Sequence, residues 1–229
     1  MRCPPVSRHL LRSLALAAAL APPAAAKAAD DSQVWIGLAG AERLSDHWRL
    51  SQEAVARFSD TRGGLYEIES TVLVGYRIAG KLTVWAGYTH DPNYVAGRFT
   101  IMEQRAREQV TLDNIRVGPG RLNLRLRLEQ RWRNGVADVA WRLRPFARYS
   151  LPLARRLSLN LSHESFVDLN TTGFQRAEGE ERMRNLVALA VPIGKHMTAE
   201  AGFLQQHGFV RGAPDTRDNA ASFTLSFAY

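Results

Sequence analysis

From residue 46 to the C-terminus, apolar and polar positions alternate with a period of two, in one run after another. The strictest run is RLNLRLRLEQRWR, residues 121–133. Leu122, Leu124, Leu126, Leu128 and Trp132 take even positions; Arg121, Asn123, Arg125, Arg127, Glu129, Arg131 and Arg133 take odd ones. Successive side chains of a strand leave opposite faces of the pleat, so this period predicts a strand. Wound as a helix, the same residues would spread charge around the circumference and leave no apolar stripe. Nine further runs read the same way. Within 48–58 the polar face carries Arg49, Glu53 and Arg57; within 66–77 it carries Glu67, Glu69 and Arg77, with Tyr66, Ile68, Val72, Val74 and Tyr76 opposite. Residues 82–89 and 222–229 alternate with few charges, and 100–112 sets Glu103, Arg105, Arg107 and Gln109 on one face. The remaining runs carry Arg142, Arg144 and Arg148 (139–149), Glu164 (157–164), Arg182 and Arg184 (182–191) and Glu200 (197–203). Nothing reads as a long helix.

Thirteen residues in the 121–133 run far exceed the usual strand of about five or six. They suit a tilted membrane-crossing strand, which needs about 9–11. The predicted connections alternate too: short at 78–81, 114–120, 152–156 and 192–196, longer at 59–64, 91–98, 134–138, 168–181 and 207–218. Short turns at one rim and long loops at the other are the layout of an outer-membrane barrel. A slip of the 121–133 strand by one residue would turn six charged side chains toward lipid. At roughly 2–4 kcal/mol for each arginine near the midplane, that costs on the order of 10 kcal/mol, so the alternation fixes the register. The expected fold is all-β: a closed antiparallel up-and-down transmembrane β-barrel of about ten strands, with twelve as the alternative if one hides in 95–118. The segment QVWIGLAG, 33–40, also resembles a strand. Single-chain bacterial barrels normally have an even count, so it is expected to lie tucked in or peripheral.

The N-terminus changes the charge. A basic start (Arg2, Arg8, Arg12), the apolar run SLALAAALAPPAAA and the small-x-small sequence Ala26-Lys27-Ala28 predict a cleaved signal peptide over 1–29, leaving one domain over 30–229. Without the leader the net charge falls from +8 to +4, and Cys3 is removed. A cysteine-free chain has no disulfide and no thiolate chemistry. Export and a mild charge argue against nucleic acid as a partner.

The charged face is the candidate site. The expected lumen carries the arginines 49, 57, 77, 121, 125, 127, 131, 133, 142, 144, 148, 182 and 184 against Glu53, Glu67, Glu69, Glu129, Glu164 and Glu200, a surplus of seven positive charges; Arg105 and Arg107 extend the same network. Unpaired buried charge is costly, so most should form ion pairs. The lumen is then either a structural plug of its own charges or, through the surplus, a narrow channel or binding site for a small anionic ligand. Neither His-x-His nor His-x-x-x-His occurs, so no metal site or cofactor is expected, and the loop acids Glu178, Glu180 and Glu181 read as a solvated face. His163 has Ser162 and Ser165 beside it, but Ser162 and His163 leave opposite faces of a strand, which weakens a catalytic dyad. A lipid- or lipopolysaccharide-modifying enzyme and a loop-mediated surface binder are the alternatives to a non-enzymatic barrel.

The signal peptide, Trp35, Glu103-x-Arg105 with Gln109, Arg125-x-Arg127-x-Glu129-x-Arg131 and Arg142-x-Arg144 together resemble a family of bacterial outer-membrane barrels of unknown function, domain of unknown function 2490. The resemblance covers nearly all of the mature chain and implies a place in the cell outer membrane, surrounded by outer-membrane lipid. The terminal FTLSFAY also resembles the signal read by the barrel-assembly machinery, through Phe227, Ala228 and Tyr229. No reaction is implied.

Overall fold

The computed structural model describes residues 29–229, so the expected leader lies outside the described residues but for Ala29. Eleven strands follow one another: β1 (Ala29–Arg43), β2 (Trp48–Ser59), β3 (Gly64–Ala79), β4 (Leu82–Val95), β5 (Arg98–Val117), β6 (Gly120–Arg133), β7 (Ala140–Ala154), β8 (Leu157–Asp168), β9 (Gly179–Ile193), β10 (Met197–Gly208) and β11 (Thr216–Ala228). Each pairs with its neighbours in sequence, and β1 pairs with β11 to close one barrel.

The ten strands expected beyond residue 46 are β2 to β11. The count is eleven, because the N-terminal segment is a full barrel strand and not a peripheral one. Its inward residues Asp31, Gln33 and Trp35 are buried, while Val34, Ile36 and Leu38 face out and are exposed. An antiparallel succession of odd length leaves its first and last strands pointing the same way, so the β1–β11 seam is parallel. Parallel pairing is slightly weaker per residue. Here it runs unbroken from Ala29↔Thr216 to Ala41↔Ala228. Backbone bonds from Tyr229 N to Ala41 O (3.0 Å) and from Arg43 N to Tyr229 O (2.9 Å) fasten its end.

Two connections are tighter than their composition suggests. The loop expected over 91–98 is mostly strand, and β4 turns into β5 through Ala96 and Gly97 alone. Both have positive φ, 48° and 74°, the conformation of a type I′ hairpin turn. The turn expected over 114–120 is Gly118 and Pro119; Asn114, at φ 57°, marks an irregularity inside β5, between Leu112 and Ile115 in its pairing with β6. A second irregularity, at the Arg57/Phe58 step of the β2–β3 ladder, turns Tyr66 inward. Tyr66 is 4% exposed and donates to Gln33 Oε1 at 2.9 Å, so it belongs to the interior and not to the apolar face.

The predicted faces of β6 hold. Leu126 is 50% exposed, whereas Arg127, Glu129 and Arg131 are buried. An apolar belt runs around the outside, including Ile36, Val72, Val110, Leu189, Phe203 and Phe223, all exposed. Apolar contacts inside are few: Trp35, Leu204 and Ala220, with Val55 and Leu186 against them.

Candidate functional site

Inside the barrel, inward residues of β2, β3 and β5 to β8 join into one ribbon of alternating charge. Arg57 pairs with Glu67 and donates to Glu69 Oε2 at 3.1 Å. Glu69 Oε1 accepts from Arg107 at 2.7 Å, and Arg107 Nε lies 2.9 Å from Glu129. Glu129 accepts from Arg144 at 2.7 Å, Arg144 reaches Glu164 at 3.0 Å, and Glu164 accepts from Arg125 at 2.5 Å. A branch leaves Glu69 through Arg105 (3.2 Å), which also pairs with Asp91 and with Glu103. Glu103 in turn accepts from Arg131 at 2.8 Å and Arg133 at 2.5 Å. Two islands stand apart. Arg142 joins Asp168 and Glu181, which also binds Arg182; Arg148 pairs with Glu200.

Aromatic rings support the guanidinium groups from inside the barrel. Arg57 lies 4.5 Å from the Trp35 ring and Arg144 4.2 Å from Phe166. Arg184 stacks on both, at 4.7 Å from Trp35 and 4.6 Å from Phe166. Such contacts are worth about 2 kcal/mol or more when desolvated.

Most of the expected residues therefore converge, but not all. Arg49 sits at the short-turn rim, donating to the Ser45 and Trp48 carbonyls outside the network. Arg121 is exposed at the start of β6. Glu53 is exposed and has no arginine partner among the described residues. Four acids join that the expected set left out: Asp91, Glu103, Asp168 and Glu181. Glu181 is thus a network member and not part of a solvated loop face. With these additions the surplus of arginine is smaller than sequence counting gives. A signal existed for Asp91, since Thr89-x-Asp91 continues the period of two up to the turn-like Pro92.

The ribbon lies between two spaces: a loop-side cavity of about 480 Å³ and a turn-side cavity of about 610 Å³, which have Glu69, Arg144 and Arg184 as common lining. A third space of about 790 Å³ lies at the loop mouth. There Gln175 folds inward, 2% exposed, to accept from Arg131 at 3.1 Å. Arg127 and Arg184 differ from their neighbours. Arg127 donates through Nε to the amide oxygen of Gln109 at 2.8 Å, and its nearest carboxylate, Glu129, is 4.0 Å away. Arg184 donates to Gln206 Oε1 at 2.7 Å and makes no salt bridge among the described residues.

Glu67, Glu69 and Asp91 bring carboxylate oxygens within 4.8 Å of one another. Arg57 and Arg105 already hold them, so the group reads as part of the ribbon. Ser162 lines the turn-side cavity, while His163 is exposed on the other face and bonds Asn185 at 2.8 Å and Ser165 at 3.2 Å.

Comparison with known proteins gives a family and a relative. The family described as "Protein of unknown function (DUF2490)" matches residues 32–217. An uncharacterized protein of Methylorubrum extorquens is 28% identical over 97% of this chain and 98% of its own length.

Proposed function

The chain belongs to this family of proteins of unknown function, and we propose that it is a non-enzymatic outer-membrane barrel whose lumen is closed by its own ion-pair ribbon. The carrying observation is that ribbon: Glu67 to Arg125 forms an unbroken chain of ion pairs inside the barrel, and its Glu69 and Arg144 line both cavities. The pairs neutralise one another in place, which suits a plug more than a path for ions.

The membrane reading rests on the outside. Hydrocarbon requires every backbone group to be paired within the protein, which a closed barrel achieves. The belt is apolar, and aromatic pairs stand at both rims, as barrel girdles do. Trp48 and Tyr76 meet edge to face at the short-turn rim, with ring centroids 5.1 Å apart, and Tyr94 and Phe99 do so beside the two-residue turn at 6.1 Å. Tyr229 is 72% exposed and stacks on His196, which supports a reading of Phe227, Ala228 and Tyr229 by the barrel-assembly machinery.

Fractionation and planar-bilayer recordings test the reading together. The protein is expected with the outer membrane, as a band whose gel migration changes on heating, and to pass no steady current. Recovery in the soluble periplasm would sink the location, and a stable open conductance would sink the plug.

A further inference from the structure

We propose that the turn-side cavity is a binding site for a monoanion carried on a short apolar chain, a fatty-acid-like carboxylate, held at its charged end by Arg127 and Arg184. The proposal rests on the closed-lumen reading and adds an occupant to it. At about 610 Å³ the cavity lies within the size of small-molecule sites, which run from roughly 300 to 1,000 Å³.

Its two walls differ in chemistry. Trp35, Val55, Leu186 and Leu204 form an apolar side, and Phe146 adds a ring. Facing them are guanidinium groups. Those of Arg125, Arg144 and Arg148 already hold Glu164, Glu129 and Glu200. Arg127 and Arg184 do not. Each donates its Nε to a neutral amide oxygen, and neither donates a terminal nitrogen to a carboxylate within hydrogen-bond distance. A guanidinium fork left this way matches a carboxylate bidentately. Arg184 is packed between the rings of Trp35 and Phe166, which fixes its plane and leaves its edge for a ligand. Arg127 is 3% exposed, so its charge is largely desolvated, and an entering anion would meet it at low dielectric. The loop-side cavity is more evenly charged. Arg184 reaches it too, but its Arg105, Arg131, Arg142 and Arg182 all hold carboxylates, and Glu67, Glu69, Asp91 and Glu103 line it. It offers an anion no surplus of arginine and lacks Arg127.

An approach exists from the short-turn rim. The cavity extends to Ser158 and Thr198, each the second residue of its strand, and to Ser226, all half-buried. Hydroxyls line this end beside the Arg148–Glu200 pair, whose charges offset one another, so a carboxylate meets no unpaired cation on the way. Glu53, the lining carboxylate without an arginine partner, is exposed.

The test is calorimetric titration of octanoate, octanol and inorganic phosphate into the full barrel in lipid nanodiscs, with empty nanodiscs subtracted. Saturable octanoate binding at one site is expected, with octanol and phosphate each weaker. Arg127→Gln and Arg184→Gln should each weaken octanoate by about tenfold or more, the loss of one charge-assisted contact. Ser222→Leu, which fills the cavity without altering charge, should abolish it. Heat-modifiable migration checks that each variant is folded. No saturable octanoate binding by the folded wild type overturns the inference and leaves the closed barrel standing. Equal binding of octanol, or binding untouched by the double Arg127→Gln/Arg184→Gln variant or by Ser222→Leu, also overturns it. A barrel that conducts ions while still binding octanoate overturns the plug alone.

Discussion

Arg107 and Arg127 stand on adjacent strands, both pointing inward and both almost wholly buried, at 0% and 3% exposure. Arg107 lies between two carboxylates, Glu69 at 2.7 Å and Glu129 at 2.9 Å, and donates to Thr71 as well. Arg127 has an amide. The same contrast separates the two halves of the lumen. The side built by β3, β5, β6 and β7 is crowded with paired charge, while β1, β9, β10 and β11 present Gly37, Ala190, Thr198, Ser222, Thr224 and Ser226 to the turn-side cavity. Small residues leave space and paired charges fill it. One interior thus combines a rigid partition with a cavity beside it. A buried ion pair is no guarantee of net stability, but removing one member of such a network leaves a charge uncompensated.

The largest effect should come from breaking the partition at its centre. Glu129 is 0% exposed and accepts from Arg144 at 2.7 Å, with Arg107 Nε at 2.9 Å and Arg127 at 4.0 Å. Glu129→Ala leaves these guanidinium groups facing one another, and losing one partner of a buried pair typically costs about 3–5 kcal/mol. Urea unfolding from lipid vesicles measures it. A loss below about 1 kcal/mol would mean that water or lipid headgroups, rather than carboxylates, neutralise the ribbon.

The next effect tests the outer face of the same strand. Leu126→Arg should cost roughly 2–4 kcal/mol if the belt meets hydrocarbon near its midplane, and Leu126→Ala clearly less. Equal tolerance of both would show that the half-exposed leucine face does not meet lipid.

That strand was legible in the sequence because its two faces differ sharply in polarity, so each side chain declares its face. β1 was not. Trp35 and Val34 are both apolar yet face opposite ways, the first inward beneath Arg57 and Arg184 and the second outward, and alternation vanishes when the lumen needs an aromatic platform. Tyr66 was misassigned because a ladder irregularity changes the parity of everything on one side of it. Asp91 was hidden by Pro92 and Asn93, residues of turn composition that here lie within β4. Ion-pair partners two strands apart could not be read. Glu69 on β3 meets Arg107 on β5, and Arg125 on β6 meets Glu164 on β8, each across an intervening strand; these contacts depend on the curvature of the barrel, which a period of two does not encode.

A smaller effect is expected at Arg127 itself. Arg127→Gln removes one hydrogen bond to Gln109 and one desolvated charge without stranding a carboxylate. The two terms oppose each other, so the change in stability should stay within about 1 kcal/mol in either direction. A cost comparable to that of Glu129→Ala would place Arg127 inside the load of the partition and remove the distinction between the two arginines.

The smallest effect lies outside the lumen. Asp215 closes the loop between β10 and β11: its carboxylate accepts from the Val210 N–H at 3.1 Å and from His207 Nε2 at 2.9 Å. These bonds, the Val210 one foremost, hold its carboxyl below the ordinary aspartate range. The sign follows from linkage. A carboxyl lowered on folding adds stability above its unfolded pKa, near 3.9, and loses it as pH falls through the lower folded value. The side chain is 41% exposed, so solvent screens the interaction, and global unfolding should not register it. Hydrogen exchange at the Val210 amide should. Above about pH 5, Asp215→Asn should exchange faster there than the wild type, and the difference should close as pH falls below about 4. A difference that persisted unchanged into acid would assign the ordering of this loop to its backbone and to the edge-to-face contact of His207 with Phe209, leaving the carboxylate without a part in it.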